Sequence, residues 1–181
     1  MAKNWVIGIS SVTLAIATSV QPGAAIPGQT IEAAIAWIRA HPTLKPGPGE
    51  RLLVRKFDTP AKRFTFQALP LPVGRLAPGT STGVIRSEEI LLVDLVNGVS
   101  RDRLSESLRI IYGANIYHDY TRASTVQTFP NGELREGDFF AYQIELFPSR
   151  PDFAEAGRIT VFLRADLNKR QTEIKETLEE L

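Results

Sequence analysis

The chain has no cysteine and a single methionine in 181 residues. The first absence removes disulfides, thiol nucleophiles, thiolate metal sites and a lipidated cysteine together. Only two histidines, His41 and His118, stand for imidazole chemistry, and they lie 77 positions apart. Neither belongs to an H-E-x-x-H string and no EF-hand loop occurs, so no metal site is assigned. Gly47-Pro48-Gly49 lacks the lysine of a phosphate-binding loop and leads into a strand pattern, not a helix. Neither sign of charge is in excess, with 21 Lys and Arg against 20 Asp and Glu. That balance argues against nucleic acid or an anionic lipid surface as a partner, either of which needs a basic face, and leaves only local patches. Glycine (13) and proline (12) follow no repeat, which excludes a collagen-like chain. At 43% hydrophobic residues the chain has enough apolar side chains for a core, and wholesale disorder is excluded.

One long uncharged run is present. Trp5 to Val20 carries no charge, Lys3 precedes it, and Gly23-Ala24-Ala25 ends it. A basic start, an apolar stretch and a small-residue end form the pattern of a secretory signal peptide over residues 1–25, cut after Ala25. The run is shorter than the roughly 20 apolar residues of a membrane span. No later segment approaches that length, so no integral span is expected after cleavage. Lys3 is the only charged residue of the segment, so residues 26–181 carry 20 charges of each sign.

The remainder reads as a single α+β domain over residues 26–166, with a C-terminal helical tail over 167–181. Thr30 is placed to cap a helix in which Ile31, Ala34, Ile35 and Ile38 share one face, and Pro42 ends it. His41 is expected in solvent at its end, favourable to the helix dipole. Residues 51–57 and 63–69 read as a strand hairpin, the second strand alternating Phe64, Phe66 and Ala68 with Arg63, Thr65 and Gln67. A Pro/Gly-rich loop over 70–80 precedes a strand pattern over 83–96. Ser100 caps a second helix with Leu104, Leu108 and Ile111 on its stripe and Gly113 at its end. Residues 124–129, 139–147 and 158–164 alternate as strands. Phe139 to Phe147 has aromatics on both faces, which implies burial on both sides. Short turns between successive strands predict antiparallel pairing. The expected fold is an antiparallel, meander-rich sheet of about five to six strands with two to three helices packed on one face.

No catalytic residue, metal ligand or cofactor is assigned. His118 beside Asp119 invites a triad reading, but triads are made by geometry in space and no serine nucleophile is assigned to it. Glu88, Glu89 and Asp94 offer oxygen ligands, yet a solvated strand edge is the preferred reading. A binding surface is expected instead around the second helix. Arg101, Arg103, Arg109 and Arg122 suit bidentate contacts to a carboxylate or phosphate, and Tyr117, His118 and Tyr120 add the amphipathic rings that interfaces favour.

The stretches GPGERLLVRK (47–56), NGVSRDRL (97–104) and IYGANIYHDY (111–120) resemble a group of exported cyanobacterial proteins of unassigned function. The resemblance implies a periplasmic or thylakoid-lumenal address and carries no catalytic motif. The expectation that follows is a non-enzymatic binding or assembly protein whose partner is another protein or a membrane complex. The alternative is a carrier of a small apolar ligand, with a pocket in the curved sheet lined by Phe64, Phe66, Phe140 and Tyr142. A hydrolase built on unrecognised carboxylates ranks third.

Overall fold

The computed structural model describes residues 27–70 and 83–180. The expected signal peptide and nearly all of the 70–80 loop lie outside these residues. Helix α1 spans Ile31–Ala40 and begins where predicted, with Thr30 Oγ1 accepting from the Ala33 N–H at 3.2 Å. Strands β1 (Leu53–Thr59), β2 (Lys62–Pro70) and β3 (Ile85–Asp94) follow as an antiparallel meander. Helices α2 (Arg101–Tyr112) and α3 (Ala114–Arg122) come next. A second meander runs through β4 (Ser124–Phe129), β5 (Gly132–Glu136), β6 (Phe140–Arg150) and β7 (Phe153–Leu163). A 3-10 turn, Arg164–Asp166, leads into α4 (Leu167–Glu179).

The seven strands form one sheet in the order β1-β2-β3-β7-β6-β5-β4. The topology follows from the helical crossover. After β3 the chain leaves the sheet, passes over one face as α2 and α3, and re-enters at the far edge as β4. The second meander then returns inward until β7 pairs antiparallel with β3. The fold is α+β, as the sequence predicts, with one strand more. The extra strand is β5, whose sequence GELRE has a single apolar side chain and so gives no alternation to read. Residues 148–157, between the two strands read from the sequence, extend the β6–β7 hairpin. The segment 116–120 is helix α3.

Directly paired residues in a sheet point to the same face. One rung therefore runs Val54, Phe66, Ile90, Ile159, Ile144 across five strands, every member fully buried. Helices α1, α2 and α3 cover this face, packing Ala34, Trp37, Ile38, Leu104, Leu108 and Ile116 onto it. Burial of each of the Leu and Ile side chains contributes about 1.5–3 kcal/mol. α2 sits close because β7 has a glycine beneath it. A Cβ on Gly157 would meet Leu104 Cδ1 at 2.8 Å and Val99 Cγ1 at 2.9 Å.

Not every helix lies on that face. Leu167 and Ile174 of α4 pack with Leu134, Ala141, Phe162 and Phe129 on the other. This reverses the expectation of helices on one side only. The docked helix needs a second apolar stripe on the sheet, and β4 to β7 supply it. Toward β1 the same face carries Phe57, which is 67% exposed.

Glu88 also departs from expectation. β3 is flanked by β2 and β7, so Glu88 is not on a solvated edge but wholly inside, between Ala68 and Val161. Neither of its carboxyl oxygens has a hydrogen-bond partner. The nearby Tyr112 hydroxyl favours the charged form, yet it too has no hydrogen-bond partner. Burial pushes the Glu88 carboxyl up to about 8, with Tyr112 opposing. The folded state thus holds a proton that the unfolded chain releases near 4.5. Stability from this group is complete below that value and is lost as pH rises toward 8, each unit costing about 1.4 kcal/mol. Glu88→Gln cannot ionise. The expected outcome is a melting-temperature advantage over wild type that widens from pH 5 to pH 9, worth about 4 kcal/mol by linkage. A gap constant with pH in calorimetric melts would refute a neutral buried Glu88.

Candidate binding surface

α2 is held at both ends by side chains that the sequence places in turns. At its start, Asp94 Oδ1 accepts the Val96 and Asn97 N–H groups at 3.1 and 2.9 Å. Asp94 Oδ2 accepts from Arg103 at 3.0 Å, and Arg103 also donates to the Gly98 carbonyl. The Asn97 N–H, then Arg103 and Val96, hold this carboxyl down at about 2 against the opposing effect of burial. At its end, His41 Nε2 donates to the Ile111 carbonyl at 2.8 Å while Nδ1 accepts the Thr43 and Leu44 N–H groups, each at 3.2 Å. His41 is therefore a neutral staple between α1 and α2, not a charged residue in solvent. Burial lowers its pKa, the bond to Ile111 opposing.

Beyond Tyr112 the chain turns at Gly113, whose φ of 82° suits a glycine, and α3 runs off at a new angle. Asp119 fixes α3 to the sheet. Its carboxylate is 1% exposed and accepts the N–H groups of Asp138 (2.7 Å), Phe139 (3.1 Å) and Phe140 (3.2 Å). The Tyr142 hydroxyl donates to it at 2.6 Å. Gly137 allows this approach, since a Cβ there would collide with the carboxylate. Asp119 thus faces inward and spends its acceptors on backbone and Tyr142. It does not orient His118.

The sequence-assigned residues do not form one cluster. Arg101 reaches sideways to Glu133 at 3.0 Å, and Arg103 is held by Asp94. Arg109 pairs with Glu106 on its own helix. Tyr120 is buried, edge-on to Tyr142 with ring centroids 5.4 Å apart and under the Arg135 guanidinium. His118 and Arg122 do come together on the outer side of α3, and the Tyr117 ring lies 6.1 Å from that of His118. His118 and Arg122, with Asn115 and Phe139, line an open hollow of about 490 Å³. Arg122 approaches Asp138 at 3.9 Å, with both side chains largely in solvent. β6 is buried on both faces from Phe140 to Ile144, as expected, but Phe139 before it is 69% exposed. It immediately precedes the strand, and the Asp119 clasp on its N–H holds it there. The sequence signal for it was weak, because Phe139-Phe140 reads as alternation whichever ring turns inward.

A second hollow of about 620 Å³ lies between α2 and the strands β2 and β3. Phe64, Leu92, Ile110 and Ile111 make its apolar wall, and Lys56 stands at its rim. Of the four residues expected to line a ligand pocket, Phe64 does so. Phe66, Phe140 and Tyr142 are buried in the core. One string has the spacing of a serine nucleophile elbow, Gly79 to Gly83 (GTSTG). Its serine, Ser81, lies outside the described residues. The chain that follows builds the strand β3 and not the helix such an elbow opens.

Comparison of the chain with protein-family models, curated proteins and solved structures finds no match. Among the described residues no group of three or more acidic or histidine side chains is placed to hold a metal ion. No described helix is long and apolar enough to cross a membrane.

The clasp carries a clear prediction. Asp119→Ala strands three N–H groups and a tyrosine hydroxyl, and should destabilise the fold by about 2–4 kcal/mol. His118→Ala, one position away but in solvent, should change stability by less than about 0.5 kcal/mol. Equal denaturation midpoints for the two variants would show that the clasp does not hold α3.

Proposed function

We propose that this chain is an exported, non-enzymatic binding or assembly protein of the periplasm or thylakoid lumen, acting by protein–protein contact. The observation that carries the reading is the hollow on α3. Phe139 stands in solvent there beside His118 and Arg122, and the Asp119 clasp locks its backbone. A large aromatic next to an arginine, fixed in advance by the fold, is the composition of an interface hot spot. Pre-organisation matters because it removes the ordering cost that binding otherwise carries. The export assignment rests on the residue pattern of positions 1–25 and on the resemblance of the three stretches noted above.

The hollow beneath α2 favours a second reading, a carrier of a small apolar ligand. Its volume lies within the roughly 300–1,000 Å³ typical of ligand sites. Its wall is aliphatic and aromatic, and Ile110 at its mouth is 51% exposed.

The two readings separate in one experiment. The full chain with a C-terminal tag is recovered from native membrane and soluble extracts, beside an Arg122→Glu/Phe139→Ser double variant. The contact reading predicts a stoichiometric protein partner that the double variant loses by at least about tenfold, a typical hot-spot effect. Its melting temperature should stay within a few degrees of wild type, as expected for exposed sites. A partnerless protein that releases a bound small molecule in native mass spectrometry, and loses it on Ile110→Asp, would replace the contact reading with the carrier.

A further inference from the structure

The chain has a formal net charge of only +1, but its charge is not mixed evenly. Residues 51–63, the β1–β2 hairpin and its approach, hold Arg51, Arg55, Lys56, Lys62 and Arg63 against one acid, Asp58. Residues 83–180 hold 12 Lys and Arg against 17 Asp and Glu. Nine of those 12 cations are in ion pairs. Among the described residues, none of the five hairpin cations is. Glu50 lies near Arg55 and Lys56, but its oxygens accept the Gly47 N–H at 2.7 Å and the Arg55 N–H at 2.9 Å.

Exposed apolar side chains gather at the same end of the sheet. Phe57 is 67% exposed, Val96 66% and Leu95 43%. The strand end and the turn that carry them are neighbours, since the Leu95 N–H donates to the Ala61 carbonyl at 3.0 Å and Lys62 lies opposite Asp94 in the strand register. Register assigns the cations to both sides of the hairpin. Arg63 pairs with Phe57, so Arg55, Phe57 and Arg63 share one face, and Lys56 and Lys62 take the other.

We infer that this corner docks the protein on the surface of an anionic lipid bilayer, with Phe57 and Val96 entering the headgroup layer. The cations on both sides of the hairpin would then meet lipid phosphates. Lys56 Nζ donates to the Lys45 carbonyl at 2.5 Å, so among the described residues the cations without a partner are led by Arg55 and Arg63 on one face and Lys62 on the other. Cations on both sides of a protruding aromatic match a planar anionic surface met end-on, which touches both faces of a hairpin at once. A protein lying flat on the sheet would meet only one set. Strand addition along β1 is also impeded, because Glu50 already occupies the outward N–H of Arg55. The acidic remainder of the chain turns the basic corner toward a negative surface. This goes beyond the protein-contact reading and uses a different surface. Phe139 precedes β6, whereas Phe57 shares a rung with Phe147 near the other end of that strand.

The test is flotation of the full chain with vesicles of phosphatidylcholine, either pure or with about 30% phosphatidylglycerol. Residues 5–20 are apolar, so the readout is the ratio of binding to anionic over neutral vesicles. The expected ratio is well above one and falls as salt rises from about 20 to 300 mM, as screening requires. Arg55→Glu/Arg63→Glu should lower the ratio at least about tenfold, and Lys56→Gln/Lys62→Gln should lower it by a smaller factor. Arg122→Glu/Phe139→Ser should float as wild type does, which separates this inference from the contact reading. A ratio near one, or a charge-reversed variant that melts and floats like wild type, overturns the proposal. So does capture of the wild type by a polyglutamate resin with no preference for anionic vesicles, which would assign the corner to an acidic protein.

Discussion

The seat of α2 on Gly157 organises the rest of the molecule. β7 has no side chain at that position, so Leu104 and Val99 descend onto the sheet backbone and fill the space a Cβ would take. Asp94 and Arg103 hold the first turn in place, and His41 holds the last. With both ends fixed, the direction of α2 is set. Gly113 then decides where α3 goes, and Asp119 ties α3 to the turn before β6. The exposure of Phe139 is the last consequence of this series. A ring that reads as core material stands in solvent because the backbone before it is held by a carboxylate on a helix above.

Two buried carboxyl groups show how context decides chemistry. Asp119 receives three backbone N–H groups and one hydroxyl, so its charge replaces hydration with oriented dipoles. Glu88 receives nothing and sits among Ala68, Val161 and the rings of the core, so it is better held as the neutral acid. One organises a surface. The other makes stability fall as pH rises.

The second face of the sheet explains the layout of the two proposed surfaces. A sheet of seven strands has two faces to bury. Three helices close the first, while α4 alone serves the second, against β4 to β7. The β1–β2 corner therefore keeps Phe57 and its arginines in solvent. It lies diagonally opposite the hollow on α3, so a bilayer at one corner would leave the other free for a protein.

Local signals were legible wherever chemistry and geometry are both short-range. The Thr30 and Ser100 caps, the Gly113 stop and the alternation of β2 depend on neighbours within a few positions, and each is where the residues put it. β5 was not legible because GELRE has one apolar side chain and takes its strand form from β4 and β6 on either side. The candidate surface was legible only in part. The sequence assigned Tyr117, His118 and Arg122, but not that Tyr120 turns inward or that Arg101, Arg103 and Arg109 already have acids of their own. The cation excess over residues 51–63 was open to a count along the chain, and a total of only +1 concealed it.

By itself the sequence determined the α+β class, the antiparallel pairing and the caps, because these follow from side-chain periodicity and turn chemistry. Only the tertiary structure decided that Glu88 is sealed inside, that α4 lies on the second face and that Phe139 stands out. Each of those outcomes depends on residues distant in sequence, such as Leu104 on Gly157 and Asp119 on Phe139, meeting across the fold.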